Sequence, residues 1–393
     1  MTHADPTPGF HPARRLEAIH EYYFSRKLKE IAAMNAAGAD VINLGIGSPD
    51  TPPDGAVIET LCREARRADT HGYQSYAGIP ELREAFAGWY RRWYGVELDA
   101  TREVLPLIGS KEGILHVSLA FLDPGDEVLV PDPGYPTYSS ATRLAGGVPV
   151  PYALHEEREW APDWEALERR DLSRVKLMWA NYPHMPTGAP ATREIFERLT
   201  TFGRRHGIVV CHDNPYSFIL NDSPGSILAV EGARECCIEM NSLSKSHNMP
   251  GWRVAMLASN ARFVEWILKV KSNVDSGQFR PVMLAAAQAL EAGREWYVAN
   301  NRMYAARREV AEEIMRALHC SCRTEQRGLF LWGRVADEWR DGEEMGDEVL
   351  RRARVFITPG VIFGNNGNRY ARISLCCREE RLREALARIR SGW

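Results

Sequence analysis

The chain has 393 residues, of which 45% are hydrophobic and 26% are charged, and its formal net charge is −3. These values are ordinary for a globular protein of two or three domains, and they exclude the basic excess typical of nucleic-acid-binding proteins. The longest nearly unbroken apolar run, residues 114–122, is far shorter than the ~20 residues of a membrane-spanning helix, and the N-terminal residues show no signal peptide. We therefore expect a cytoplasmic protein that binds neither nucleic acid nor membrane.

Short apolar runs alternate with helical patterns along the middle of the chain, which is typical of a mostly parallel sheet covered by helices. Strands are predicted at 103–109, 127–132, 175–181, 208–213, 236–241 and 253–258, and helices at 110–122, 135–146 and 191–207. One long helical stretch is predicted from 281 to about 319, followed by strands at 328–335 and 369–376. The predicted organisation is an N-terminal arm with part of a small domain (1–49), a large domain (50–280) and a C-terminal small domain (281–393).

The eight cysteines form no CxxC pair and lack the spacing of zinc ligands. We expect them to be reduced thiols, as intracellular cysteines usually are. The sequence therefore predicts no metal site.

Unusual polar clusters follow five of the predicted strands. They read GSKEG (109–113), DPGYPTY (132–138), NYPHMPTG (181–188), HDNPYS (212–217) and SLSK (242–245). Because chemistry in open α/β sheets collects at the carboxyl ends of strands, we expect these clusters to converge on one site. Taken singly, each has an ordinary structural explanation: Ser110 would cap a helix, Tyr135 would pack in a turn, and Arg253 would be a surface charge.

Together with INLGIGSPD (42–50), YQSYAGIPELREA (73–85) and YARISL (370–375), these motifs resemble the pyridoxal-phosphate-dependent class I/II aminotransferases of fold type I, the aspartate aminotransferase superfamily. The resemblance covers about residues 40–376. It implies an α/β fold with two parts: a large domain whose mostly parallel seven-stranded sheet is covered by helices, and a smaller α+β domain built from both termini. It also implies pyridoxal 5′-phosphate as cofactor and a homodimer with shared active sites.

The resemblance implies catalytic roles for three residues. Lys245 would hold the cofactor as a Schiff base and then act as general base. Asp213 would keep the pyridine nitrogen protonated, and Tyr216 would place its hydroxyl on the phenolic oxygen. Tyr135 would stack on the ring. The implied phosphate ligands are Ser110, Lys111, Ser242, Arg253 and, from the neighbouring subunit, Tyr76.

The substrate side of the predicted site rests on three positions. Arg372 matches the arginine that binds the substrate α-carboxylate, and Gly47 would let the backbone approach that carboxylate closely. Met185 departs from the family motif, which has an asparagine there. A methionine cannot donate the lost hydrogen bond, which contributes about 1.5–3 kcal/mol against a catalytic effect of roughly 8–23 kcal/mol, so we expect a retuned enzyme. Asn181 or His184, in the same loop, would replace part of that role.

Three functions remain open from the sequence. The first is an aminotransferase that moves an α-amino group between an L-amino acid and a 2-oxo acid by a ping-pong mechanism. The second is a pyridoxal-phosphate-dependent β-lyase or cyclopropane-forming synthase, and the third is a non-catalytic cofactor-binding regulator. Fewer than fifty residues precede the INLGIG motif, and they show no helix-turn-helix pattern, which argues against the regulator. Arg280 is either a ligand for a distal substrate carboxylate or an interface or surface arginine.

Overall fold

The computed structural model describes residues 10–17, 19 and 23–392; residues 1–9 of the predicted N-terminal arm lie outside the described residues, as do 18, 20–22 and 393. The strands are β1 (Ile42–Asn43), β2 (Val104–Leu107), β3 (Glu127–Asp132), β4 (Val148–Ala153), β5 (Val175–Ala180), β6 (Val209–Asp213), β7 (Cys237–Ser242), β8 (Ala255–Ala258), β9 (Ser321–Cys322), β10 (Phe330–Arg334), β11 (Val355–Phe356), β12 (Thr358–Pro359) and β13 (Tyr370–Ser374). The helices are α1 (Tyr23–Ala36), α2 (Gly55–Ala65), α3 (Pro80–Tyr94), α4 (Ser110–Phe121), α5 (Pro136–Leu144), α6 (Trp164–Glu168), α7 (Arg193–His206), α8 (Ala233–Cys236), α9 (Leu243–Ser246), α10 (Ala261–Lys271), α11 (Arg280–Leu290), α12 (Arg294–Ala317), α13 (Gly342–Ala353) and α14 (Glu379–Gly392).

The main sheet has seven strands in the order β2-β8-β7-β6-β5-β3-β4, and β8 runs antiparallel to the other six strands. Consecutive residues of β5 face opposite sides of the sheet, because the side chains of a strand alternate. Leu177 and Trp179 pack into one hydrophobic cluster with α4, α5 and α10, whereas Met178 and Ala180 pack into the other, with α7 and α11. The predicted α/β fold with a mostly parallel, helix-covered sheet is confirmed.

One strand of this sheet has no counterpart among the predicted strands. β4 contains Pro149 and Pro151, and it pairs with β3 at the edge of the sheet. Proline cannot donate a ladder hydrogen bond, so it is tolerated in edge strands and weakens the strand pattern in the sequence. The six predicted strands of the sheet are present, with ends that differ by no more than two residues from the prediction.

The helical stretch predicted from 281 to about 319 is present, but it consists of two helices. α11 ends at Leu290, and α12 begins at Arg294 after the N-cap residue Gly293, whose backbone is extended. Glycine is a poor helix former, so the backbone leaves the helix here although the apolar pattern of the sequence continues.

The four-stranded smaller sheet is built from the C-terminal part of the chain, and a separate pair of strands joins the N-terminal part to it. The smaller sheet has the strand order β12-β13-β10-β9, and nearby β1 pairs in parallel with β11, with Ile42 opposite Val355. The domain boundaries at 49/50 and 280/281 stay a prediction. Within residues 10–17, 19 and 23–392, no helix has both the length and the apolar character needed to cross a membrane.

Candidate active site

A cavity of about 700 Å³ opens at the carboxyl ends of β5, β6 and β7, where the sequence predicted that polar clusters would converge. It is also lined by α1, by the segment after β1 and by residues of the smaller sheet. The structure brings all the predicted site residues except Tyr76 to this cavity. They are Gly47, Ser110, Lys111, Tyr135, Met185, Asp213, Tyr216, Ser242, Lys245, Arg253 and Arg372.

Lys245 is presented to the cavity by the short helix α9, directly after β7. Ser242 caps this helix by accepting a hydrogen bond of 3.1 Å from the backbone N–H of Ser244. The Lys245 ammonium donates to the backbone oxygen of Gly47. Burial lowers the pKa of Lys245, and the nearby cations Arg372 and Arg253 add to the effect. A lowered pKa favours the neutral amine, which is the form that attacks a carbonyl carbon.

Asp213 ends β6 and turns its carboxylate into the cavity. One oxygen, Oδ2, accepts a hydrogen bond of 3.0 Å from the hydroxyl of Tyr138, and Oδ1 is buried without a hydrogen-bond partner among the described residues. Burial raises the pKa of Asp213 to about 6, against the opposing effects of Tyr138, His212 and Lys245. Tyr138 is itself fixed by stacking on Trp179 at 4.9 Å. Oδ1 of Asp213 therefore has a fixed orientation and suits a cationic N–H donor.

The first turn of α4 forms an anion cradle with Arg253. Gly109 precedes the helix with a φ of 86°, and a Cβ there would lie 2.2 Å from Nη2 of Arg253, so only glycine fits. The Oγ of Ser110, the first helical residue, is buried without a partner among the described residues. The N–H groups in the first turn of a helix and a guanidinium together suit a phosphate.

Arg372 lies on β13 and is buried between aromatic rings. Its guanidinium carbon is 3.8 Å from the ring centre of Phe330 and 4.5 Å from that of Phe363. Nη2 donates to the backbone oxygen of Gly45 at 2.8 Å, and Nη1 lies 3.2 Å from the sulfur of Met185. These cation–π contacts hold the guanidinium in place on the wall of the cavity, and its planar fork suits a carboxylate.

The loop that carries Met185 is tied to β6 by Asn181. The Asn181 amide donates to the backbone oxygen of Asp213, and its oxygen accepts a hydrogen bond of 2.7 Å from the backbone N–H of Met185. His184 contacts Thr187 through Nδ1 at 2.8 Å. Asn181 lines the cavity, whereas His184 does not. The hydrogen bonds of Asn181 shape the loop, and one N–H of its amide is engaged with the backbone of Asp213.

Tyr216 is buried beside the cavity, after β6. Burial raises the pKa of Tyr216 well above its ordinary value, although Arg372 acts in the opposite direction. The hydroxyl therefore stays protonated at neutral pH and can donate a hydrogen bond. Tyr135, at the start of α5, lines the same cavity and meets Tyr138 edge to face at 5.5 Å.

Two predicted residues lie elsewhere. Tyr76 is 47% exposed, and its neighbour Tyr73 is 92% exposed. Arg280 pairs with Glu81 at 2.6 Å and does not line the cavity of its own chain.

Tyr138 and the phenylalanines around Arg372 were not among the predicted site residues. Tyr138 had a usable signal, since it follows Tyr135 by one helical turn and so falls on the same helix face. The phenylalanines had none, because they come from separate parts of the chain.

Comparison with known proteins identifies the family of this site. The family model for aminotransferases of class I and II matches residues 39–389. The LL-diaminopimelate aminotransferase of Desulforudis audaxviator is 44% identical over 384 residues, which cover 97% of this chain and 98% of the relative. Among solved structures, substrate-bound BacF from Bacillus subtilis superposes with a TM-score of 0.91 at 32% identity and covers 97% of both chains.

A second solved structure, a probable N-succinyldiaminopimelate aminotransferase from Thermus thermophilus, has a TM-score of 0.87 at 34% identity, over 94% of this chain and 100% of the other. The chain belongs to the class I and II aminotransferases. The aminotransferase prediction is thereby confirmed, and the lyase, synthase and regulator alternatives are set aside. This aminotransferase moves an amino group between an amino acid and a 2-oxo acid and uses pyridoxal phosphate.

The residues of the cavity fit this cofactor. Oδ1 of Asp213 and Oγ of Ser110 have no hydrogen-bond partner in the part of the chain that the structure describes, and they suit the pyridine N–H and the phosphate, respectively. Gly109 leaves space beside Ser110 for the Arg253 guanidinium. Lys245 lies in the same cavity as Asp213 and Ser110, with the lowered pKa that a Schiff base requires. The aminotransferase thus has an acceptor, an anion cradle and an amine for the three polar parts of the cofactor.

Proposed function

We propose that Lys245 binds pyridoxal phosphate covalently and also carries the proton at the substrate Cα. When bound, the cofactor supplies an electron sink for the bonds at that carbon. Asp213, held by Tyr138, keeps a proton on the pyridine nitrogen, and Tyr216 donates to the phenolic oxygen. Tyr135 packs against the ring. Ser110, Lys111, Ser242 and Arg253 bind the phosphate.

The same proposal assigns the substrate carboxylate to Arg372. Its guanidinium is held between two rings, so little rotamer freedom is lost when a carboxylate binds. Gly47 lets the ring of Phe330 pack closely against the backbone beside Arg372, because a Cβ there would lie 2.2 Å from that ring. Met185 borders the carboxylate position through its contact with Arg372.

Borohydride reduction followed by peptide mapping tests the lysine assignment. The reduced cofactor is expected on Lys245, and Lys111, which lines the same cavity, is the internal control. Label on any other lysine would refute the assignment.

For the substrate, we propose LL-diaminopimelate as the preferred amino donor. The observation that carries this is the 44% identity, over almost the whole chain, to an LL-diaminopimelate aminotransferase. The name of the Thermus protein contains the same diamino dicarboxylate. The cavity is lined by the cations Lys29 of α1 and Arg372 of β13, and a dicarboxylate carries two anionic groups that such cations bind.

Initial rates with 2-oxoglutarate as acceptor test this substrate. LL-diaminopimelate is expected to exceed aspartate, phenylalanine and N-succinyl-LL-diaminopimelate by at least about tenfold in kcat/KM, which corresponds to about 1.4 kcal/mol. The cofactor absorbance in half-reactions without acceptor provides an independent readout. A faster reaction with any of the other three donors would overturn the proposal.

We also propose a homodimer in which Tyr76 reaches the phosphate of the partner's site. The exposed side chains of Tyr73, Tyr76, Val274 and Phe279 support an interface near this loop, since large exposed apolar patches are typical of binding surfaces. The cytoplasm is the location we propose, on the composition of the sequence.

A further inference from the structure

A buried cluster of charged side chains lies beside the first turns of α4. Lys271, at the end of α10, has a side chain that is only 3% exposed, and its ammonium lies 2.5 Å from Asp275 and 3.6 Å from Glu112. His116 is fully buried and contacts Glu112 through Nε2 at 2.7 Å. Burying charges costs several kcal/mol per ion unless they are paired and hydrogen-bonded, so this arrangement needs an explanation.

A metal ion is one explanation, because ligand atoms of Glu112, His116 and Asp275 all lie within 4.8 Å of one another. The Lys271 ammonium argues against it. It contacts both carboxylates and so already supplies the cation that these ligands would otherwise share. The cluster is therefore an ion-pair network closed by its own lysine.

The carboxylates of this network also hold backbone on both sides of the phosphate cradle. The second oxygen of Glu112 accepts a hydrogen bond of 2.7 Å from the N–H of Ile108, two residues before Ser110. The second oxygen of Asp275 accepts one of 2.8 Å from the N–H of Gly277. The network thus ties the loop before α4 to the segment that follows Lys271.

That segment, residues 275–280, contacts Arg253. Gln278 donates a hydrogen bond of 2.7 Å to the backbone oxygen of Arg253. Arg253 has a φ of 57°, a conformation that a non-glycine residue holds only when its surroundings enforce it. Gly277 packs against the loop with Tyr76, since a Cβ there would lie 3.1 Å from the backbone oxygen of Ser75.

We propose that Lys271 is a positioning residue for the cofactor phosphate. By pairing with Glu112 and Asp275, it holds Ser110 and Arg253, which lie on separate segments, at a fixed separation. Without its charge, two carboxylates face each other in a buried site and repel, so both segments shift. The inference rests on the proposed assignment of Ser110 and Arg253 to the phosphate.

The test compares Lys271→Met and Asp275→Asn with Lys269→Met, a control on the same helix. The side chain of Lys269 is 69% exposed and pairs only with Glu265 among the described residues. The measurements are the dissociation constant of pyridoxal phosphate from the cofactor-free protein, the inhibition constant of inorganic phosphate as competitor, and the unfolding temperature of the cofactor-free protein. We expect both constants to rise at least tenfold in Lys271→Met and severalfold in Asp275→Asn, with no change in Lys269→Met.

A purely structural role gives a different pattern, and that pattern overturns the proposal: a lower unfolding temperature with wild-type constants for both ligands. Weaker cofactor binding with unchanged phosphate inhibition also overturns it, because the effect then lies elsewhere on the cofactor. If Lys271→Met does not fold, Asp275→Asn decides by the same criteria. Ser110→Ala separates the two proposals. If this variant binds both ligands like wild type, the phosphate assignment itself is wrong.

Discussion

Met185 stands where the family motif has an asparagine, and its sulfur lies 3.2 Å from the Arg372 guanidinium. A thioether is a weak acceptor and no donor, so it cannot replace the asparagine hydrogen bond to the phenolic oxygen of the cofactor. Among the described residues, Asn181 lines the same cavity, but one N–H of its amide already donates to the backbone oxygen of Asp213. Under the proposed assignment, the phenolic oxygen depends on Tyr216 and on the Schiff-base proton.

We expect Met185→Asn to move the spectral transition of the bound cofactor to lower pH. A restored donor stabilises the deprotonated phenolic oxygen and so makes the Schiff-base proton easier to lose. The measurement is a spectrophotometric pH titration of the cofactor-loaded protein. Met185→Leu, which restores no donor, is the control and should titrate like wild type. An unchanged titration in a folded, loaded Met185→Asn protein would mean that Met185 only packs beside the cofactor.

Asp213 illustrates a conflict between binding and stability. In the cofactor-free protein, burial raises the pKa of Asp213 from 3.8 to about 6, so the folded state prefers the protonated carboxyl. Its stabilising contribution is complete below about pH 4 and is lost as the pH rises through about 6. The gap between the two values corresponds to about 3 kcal/mol.

Cofactor-free Asp213→Asn should therefore gain stability over wild type as the pH rises. The difference in unfolding free energy is expected to grow by up to about 3 kcal/mol between pH 4 and pH 7, as measured by urea unfolding. The same variant should bind pyridoxal phosphate more weakly, because an amide cannot stabilise the pyridine N–H as a carboxylate does. Asp222→Asn, at an exposed position, is the control. A difference that is the same at both pH values would contradict the buried-carboxyl explanation.

At the scale of elements, the site is built from short strand-to-loop and strand-to-helix junctions. Gly109 and Ser110 follow β2, Asp213 ends β6, and Lys245 lies in the short helix α9 that follows β7 directly. Because β6 and β7 are adjacent and parallel, their carboxyl ends meet at one edge of the sheet. The motifs at these strand ends therefore predict one shared site from the sequence alone.

The elements outside the main sheet supply the rest of the cavity. α1 contributes Phe24, Leu28 and Lys29, and β10 contributes Phe330 against Arg372. The pairing of β1 with β11 brings the chain after α1 against the C-terminal part. The substrate side of the site thus depends on packing between segments that are far apart in the sequence.

At the scale of the whole molecule, the proposed dimer makes each active site composite. Tyr76 lies outside the cavity of its own chain, and Tyr73, three residues earlier, is 92% exposed. Exposed aromatic side chains gain little stability from burial within their own chain. Both tyrosines are therefore candidates for contact with the cofactor phosphate in the partner's site.

Mixing a Tyr76→Phe subunit with a Lys245→Ala subunit should restore activity that neither parent has in full. Each heterodimer contains one site with both defects and one site with neither, so random exchange should recover up to about a quarter of wild-type activity. The measurement is the transamination rate after subunit exchange has been verified by native mass spectrometry. A parallel mixture with Tyr73→Phe identifies which tyrosine crosses the interface. No recovery in either mixture would exclude the sharing of these tyrosines between subunits.

The sequence by itself determined the α/β class, six of the seven main strands and the convergence of the residues around Lys245. It could do so because strand periodicity and strand-end motifs are local patterns of adjacent residues. The sequence did not predict the break at Gly293 or the proline-containing edge strand, because at these two places the local pattern and the backbone geometry disagree.

Only the tertiary structure decided the contacts that tune these residues. Tyr138 reaches Asp213, Phe330 covers Arg372, and Lys271 joins two segments near the phosphate cradle. Each of these contacts depends on how separate elements pack in three dimensions. Hydrogen bonds and cation–π contacts between distant segments leave no periodic signal in the sequence, because their geometry exists only once the core has been formed.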